Sequence, residues 1–195
     1  AGTGTLKFGA TNALAGNGII ATGGTVDLGG FSQSLAGFRT NDGVKVGTLT
    51  NSGASGTQSL TITGNWWGAY GGAIQDGATA KTGLIMAGAN GRFSLAGANT
   101  FSGGLTIMGD GNADGGDARV TLAINSDAAL GAVSNVITLN NGGTLFNSLS
   151  STLGWGAGSS PALAAARSIV MGSGVGGVLR VYGSTTFSVD STISG

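Results

Sequence analysis

The sequence predicts an all-β chain wound as a parallel β-helix, a solenoid of short strands. Three observations point there. Apolar and polar residues alternate in runs of about three to five, each bounded by Gly, Asn or Ser, which is how short strands between tight corners read. Similar openings, Gly4-Thr5-Leu6, Gly24-Thr25-Val26 and Gly47-Thr48-Leu49, recur at about 20–23 residues, the length of one solenoid coil. Glycine supplies 41 of 195 residues, against a usual share of roughly 7%, and so suits corners where coils stack closely. With stacked strands about 4.8 Å apart, eight or nine coils would make a rod of roughly 40 Å. The competing arrangement is an antiparallel sandwich or barrel. Such domains usually carry more charge and more proline than the 8% charged residues and single proline found here.

In chain order, strand signals fall at Thr5–Phe8, Gly18–Ile20, Thr25–Leu28 and Gln33–Leu35. They continue at Val44–Val46, Thr48–Thr50 and Leu60–Thr63, and then comes the aromatic stretch Asn65-Trp66-Trp67-Gly68-Ala69-Tyr70. The stretch Arg92–Ile107 holds two alternating runs around Ala96-Gly97-Ala98-Asn99-Thr100-Phe101-Ser102-Gly103-Gly104. That middle segment reads as a turn, and an aromatic ring inside it predicts that Phe101 tucks inward. Asp110–Asp117 reads as a polar loop. Strands resume at Val120–Leu122, Val136–Leu139, Gly143–Phe146, Ile169–Met171, Val178–Val181, Thr186–Val189 and Thr192–Ile193. Between them, Ser160-Pro161 before Ala162-Leu163-Ala164-Ala165-Ala166-Arg167 looks like a helix cap with proline at the first position, so one or two helical turns are expected there. The 195 residues read as a single β-helix domain.

Composition also excludes functions. The chain has no His, Cys or Glu, so it carries no His-based triad and no thiolate or imidazole metal site. Its aspartates are scattered outside one loop, which gives no paired carboxylates for glycoside chemistry and argues against an enzyme. Eight basic and eight acidic residues leave no net charge, hence no footprint for nucleic acid or an anionic membrane. No apolar run approaches the roughly 18 residues of a membrane span.

The run Leu95-Ala96-Gly97-Ala98-Asn99-Thr100-Phe101-Ser102-Gly103-Gly104-Leu105-Thr106-Ile107 resembles the autotransporter-associated β-strand repeat of type V secretion passengers. The lead-in Ile74-Gln75-Asp76-Gly77 with Lys81-Thr82-Gly83, and the segments Asp127–Gly131, Asn140–Leu145 and Gly24–Leu35, resemble flanking parts of the same pattern. The resemblance implies a right-handed parallel β-helix, displayed at the cell surface or secreted by a Gram-negative type of bacterium, with no catalytic residues and no cofactor. It also implies a piece of a longer array, or a protein that has kept the rod without its translocator barrel.

Two weak sites stand out. Asp110-Gly111-Asn112-Ala113-Asp114-Gly115 matches the opening of a calcium loop, with Asp117 as a further candidate ligand. The twelfth position would be Thr121 in place of the usual bidentate Glu, and the preferred reading is an exposed turn at an insertion between coils. Trp66, Trp67 and Tyr70 suggest a glycan or partner contact. The alternative is that at least one ring packs over the helix flank and Tyr70 takes the aromatic position of the repeat; neighbouring strand residues face opposite ways, so Trp66 and Trp67 cannot both enter one core. The expected function is an extracellular structural or adhesive rod, a surface stalk or a self-associating filament subunit. Its open coil ends would stack head to tail on other copies or on adjacent repeats. The alternative is a carbohydrate-binding or carbohydrate-active β-helix.

Overall fold

A computed structural model describes residues 4–14, 16, 18–40, 47–64, 68–88, 91–112, 120–147 and 160–195. The chain winds as follows. The first coil carries β1 (Thr5–Lys7) and β2 (Ile19–Thr22); the second β3 (Thr25–Asp27), β4 (Gln33–Leu35) and β5 (Gly37–Thr40). The third carries β6 (Thr48–Thr50), β7 (Thr57–Ile62) and β8 (Gly68–Tyr70); the fourth β9 (Ala73–Ile74), β10 (Lys81–Met86) and β11 (Arg92–Leu95). The fifth holds β12 (Leu105–Met108) and β13 (Thr121–Ile124). The sixth holds a 3₁₀ turn (Asp127–Leu130), β14 (Val136–Asn140) and β15 (Gly143–Phe146). Next come β16 (Ala162–Leu163), β17 (Ser168–Met171) and β18 (Gly177–Arg180), and an eighth coil opens with β19 (Ser188–Val189) and β20 (Thr192–Ser194).

Every strand pairing among the described residues is parallel, and every partner lies in the next coil, which defines a parallel β-helix. The repeated Gly-Thr openings stack as their spacing predicts: Thr5 on Thr25 on Thr48, and Leu6 on Val26 on Leu49. The longest sheet runs β4-β7-β10-β12-β14-β17-β20. A second runs β8-β11-β13-β15-β18, with the β2-β5 pair on the same side of the coil. The third side is β1-β3-β6-β9, prolonged past β9 by Thr100, whose amide donates to the Ile74 carbonyl, and later by the β16-β19 pair.

The alternation read from sequence sorts side chains to the two faces of each strand. Inward columns stack in register. Leu60, Leu84, Leu105, Ile137 and Ile169 form one; Ile62, Met86, Ile107 and Leu139 form another. All nine are buried, within one continuous core.

Two expectations need correction. Residues 162–167 form no helical turn: Ala162 and Leu163 are strand residues paired with Ser188 and Val189, followed by a turn. Stacking on the neighbouring coil overrides the local helix propensity of an alanine run. The segment 96–104 is not merely a corner. It crosses the whole third side of the coil, and Phe101 fills the core position there with no exposure, inward as the sequence predicts. Glycine is obligatory where successive coils touch: a Cβ at Gly97 would run into the Gly72 carbonyl, and one at Gly72 into the Gly47 carbonyl.

Candidate functional site

The polar chemistry of this chain sits at its coil corners, and it is repeated. The Asp27 carboxylate accepts bonds from the Ser52 hydroxyl at 2.6 Å, the Ser52 amide at 2.8 Å and the Gly29 amide at 2.8 Å. Lys7 Nζ lies 3.5 Å away. Burial pushes this carboxyl up, but the Ser52 and Gly29 bonds and the Lys7 charge outweigh it and hold the group below the ordinary carboxylate value. Two coils further on, Asp76 repeats the arrangement, taking the Ser102 hydroxyl at 2.7 Å and the Ser102 and Thr82 amides.

Asparagines staple the other corners. Asn51 Oδ1 accepts from the Gly30 and Gly53 amides, while its Nδ2 donates to the Lys81 carbonyl and the Gln58 side chain. Asn99 takes the Ile74 amide at 2.8 Å and gives to the Ala129 carbonyl at 2.6 Å, so it ties three consecutive coils. Asn135 and Asn147 each tie two coils: Asn135 accepts the Gly104 amide of the preceding coil and gives to the Leu130 carbonyl of its own, and Asn147 accepts the Tyr182 amide and gives to the Thr186 carbonyl of the next. An Asn side chain offers both an acceptor and a donor, which is what a corner with one unpaired amide and one unpaired carbonyl needs.

One corner is ionic. Arg167 is buried, and its Nε and Nη2 meet the two Asp127 carboxylate oxygens at 2.7 and 2.8 Å. Its guanidinium also donates to the Asp127, Gly131 and Ala132 carbonyls. Burial raises the Asp127 carboxyl, but the bonds from Arg167 and from the Ala164 amide, with the Arg167 charge, bring it below its ordinary value.

The residues singled out from sequence are placed as follows. Tyr70 is wholly buried, its ring stacked on Phe38 at 4.5 Å and its hydroxyl directed at the Ala73 carbonyl. It is part of the core and not of the outer surface. Burial also pushes its phenol well above the ordinary range. Trp66 and Trp67 lie outside the described residues. Of the calcium candidates, Asp110 and Asn112 are exposed, and the Asp110 carboxylate accepts the Asn112 amide at 3.2 Å, an Asx turn. Asp114 and Asp117 lie outside the described residues. The loop falls between β12 and β13, within a coil and not between two coils. No cluster of three possible metal ligands occurs among the described residues.

Two surfaces went unread in the sequence. On the outward side of the β15 sheet, Phe146 is buried, with the Arg92 and Arg180 guanidiniums each 4.7 Å from its ring centroid. On the longest sheet, the central outward column runs Ser34, Thr61, Ile85, Thr106, Thr138, Val170 and Ser194, in register and uncharged. Its members are half-buried apart from the exposed Ser194.

Fold and corners together define the class: a parallel β-helix whose coils are stapled to one another by buried Asn and Asp side chains, with a low-charge exterior. The chain is 33% identical over 181 residues, 89% of its length, to the adhesin BmaC autotransporter of Brucella suis biovar 1 (strain 1330). It spans 4% of the length of that relative. No model of a known protein family matches the chain, and no solved structure matches it. The chain is related in sequence to an autotransporter adhesin, and its likeness to the autotransporter-associated repeat rests on the residues of 95–107 and their flanks.

Proposed function

We propose that this chain is part of an extracellular adhesive rod of a Gram-negative type of cell, which acts by presenting a stiff surface and not by catalysis. One observation carries the reading. The sequence similarity to an adhesin runs through 89% of the chain and not through an isolated motif. Buried amides and carbonyls at the corners are met by side chains of neighbouring coils, and this supports rigidity without disulfides.

The ends of the stack belong to the same proposal. Leu6 and Ile193 stand in register with buried Val26 and Ile169, yet are 45% and 47% exposed. A neighbouring coil, from the same chain or from another copy placed head to tail, would cover them.

The test is to display residues 1–195 on a non-adherent Gram-negative host through an unrelated translocator. Binding to matrix-coated surfaces and to host-cell monolayers would then be counted. Binding above that of a host displaying an unrelated β-helix of equal length is expected; equal binding would overturn the adhesive reading. Negative-stain images of the purified chain at several concentrations address the ends separately. Fibres would support head-to-tail stacking, and single rods at every concentration would refute it.

A further inference from the structure

We propose that the outward side of the longest sheet is a pairing surface on which a second copy of this chain docks face to face, the two rods antiparallel. Three observations lead there. First, the three middle outward columns of this sheet are uncharged: the central one, a flank through Ser59, Gly83, Val136 and Ser168, and a flank through Met108 and Asn140; the outward Lys81 of β10 stands at the rim beyond Gly83. Two copies therefore meet without like-charge repulsion or a stranded ion. Second, two of the large apolar side chains left exposed on the molecule, Met108 and Val136, stand in those flanks, each 43% exposed.

Third, the central column is nearly a palindrome. A two-fold axis through Thr106, its fourth member, sets Ile85 opposite Thr138, Thr61 opposite Val170 and Ser34 opposite Ser194. The two largest side chains, Ile85 and Val170, then each meet a threonine and not their own copy, which evens the gap between the sheets. Parallel rods would set Ile85 on Ile85 and Val170 on Val170, whereas serine faces serine in either arrangement. The antiparallel arrangement is isologous, so residue i meets j and j meets i, as a closed dimer requires.

Area sets the strength. Seven strands span about 29 Å along the rod, and three outward positions about 20 Å across it. The face thus offers about 600 Å² per copy, or about 1,200 Å² in total, at the lower bound of specific interfaces. Pairing of this single chain is therefore weak, and it grows with the number of coils engaged. Sheets with small β-branched and hydroxyl side chains can approach and interdigitate in this way.

The chain has no cysteine, so single-cysteine variants label one position each. Purified variants would be treated with a short bis-maleimide across a concentration series, with Ser184→Cys, exposed and away from the sheet, as control. Expected are a Thr106→Cys homodimer and an Ile85→Cys with Thr138→Cys heterodimer, both above control, and little self-linking of Ile85→Cys alone. Thr106→Lys combined with Thr138→Lys should lower the self-association constant at least roughly a hundredfold by sedimentation, with circular dichroism unchanged. Thr106→Cys linking no better than control at every concentration would overturn the pairing. Self-linking of Ile85→Cys as strong as the mixed pair would overturn the antiparallel register. No cross-link, together with retention on an insoluble neutral glucan that the lysine variant abolishes, would give the face to a polysaccharide instead. The inference borrows its setting from the adhesive reading, but the cross-linking is done on purified protein and fails or succeeds independently of host-cell adhesion.

Discussion

Replacing Asp127 with Ala should loosen one end of the rod and leave the other end intact. Arg167, whose side chain is 0% exposed, would lose both charged bonds and keep three to backbone carbonyls. Removing one partner of a buried ion pair costs about 3–5 kcal/mol, because the other charge stays behind. Asp127 is itself 20% exposed, so water can enter the vacated space, and we place the cost near the bottom of that range, about 3 kcal/mol.

In a solenoid such a loss falls on one coil-to-coil interface, here between the Asp127–Leu130 turn and the coil of Ala164–Arg167. The coils beyond should then open about 150-fold more often than before. Amide hydrogen exchange is the assay. Protection should fall by about that factor in β17, β18 and β20 and stay unchanged in β4, β7 and β10. A second replacement, Arg167→Met, should restore much of the loss, since it removes the stranded charge. Acidification should mimic the single variant. The Asp127 carboxyl lies below its ordinary 3.8 in the folded state, so its contribution is fully present above that value and disappears as pH falls through the lower folded value. The Asp127→Ala protein should lose that portion of the acid response. Protection lost evenly along the rod, or a change under about 1 kcal/mol, would refute the account of Arg167 as a local staple.

Other positions make equally specific demands. Gly97→Ala should destabilise by about 1–3 kcal/mol in urea melts, because its methyl meets the Gly72 carbonyl and backbone has to move. Asn99→Ala should cost about 2–4 kcal/mol, since it strands the Ile74 amide and the Ala129 carbonyl, while Asn99→Asp should recover only the acceptor half. Tyr70→Phe should cost less than about 1 kcal/mol, because the hydroxyl bond to Ala73 is long at 3.4 Å, whereas Tyr70→Ala should cost about 3–5 kcal/mol. In an alkaline absorbance titration the Tyr70 phenol should ionise only together with unfolding.

Much of the fold was legible because the coil is short enough for its period to show. Thr5, Thr25 and Thr48 are stacked partners, and their Gly-Thr openings repeat at the same interval. Phe101 was legible for a different reason: a ring inside a polar segment has few places to go except inward. The misreadings share one cause. Ala162–Arg167 has the local signals of a helix start, yet what decides its conformation is the coil above, through Ser188 and Val189, and an aspartate 40 residues earlier. Asparagine at a turn looks the same in sequence whether it faces water or reaches into a neighbouring coil. Asn51, Asn99, Asn135 and Asn147 therefore gave no sign that they staple coils. The Asp27–Ser52 and Asp76–Ser102 pairs did carry a readable signal, an Asp followed one coil later by a Ser, 25 and 26 residues on, but only if the coil length is already known.

The two long coils show how a rod of this design can take up extra chain without losing its stack. Residues 109–120 lie between β12 and β13, and residues 147–161 between β15 and β16, where neighbouring coils use far shorter connections. Leu105, Ile137 and Ile169 nevertheless stay stacked partners across both. Lengthening a connection costs little, because closure entropy grows only with the logarithm of length. Shifting the register of an inner column would move every core side chain to the outside. Added length in a connection is therefore tolerated, and a shifted column is penalised.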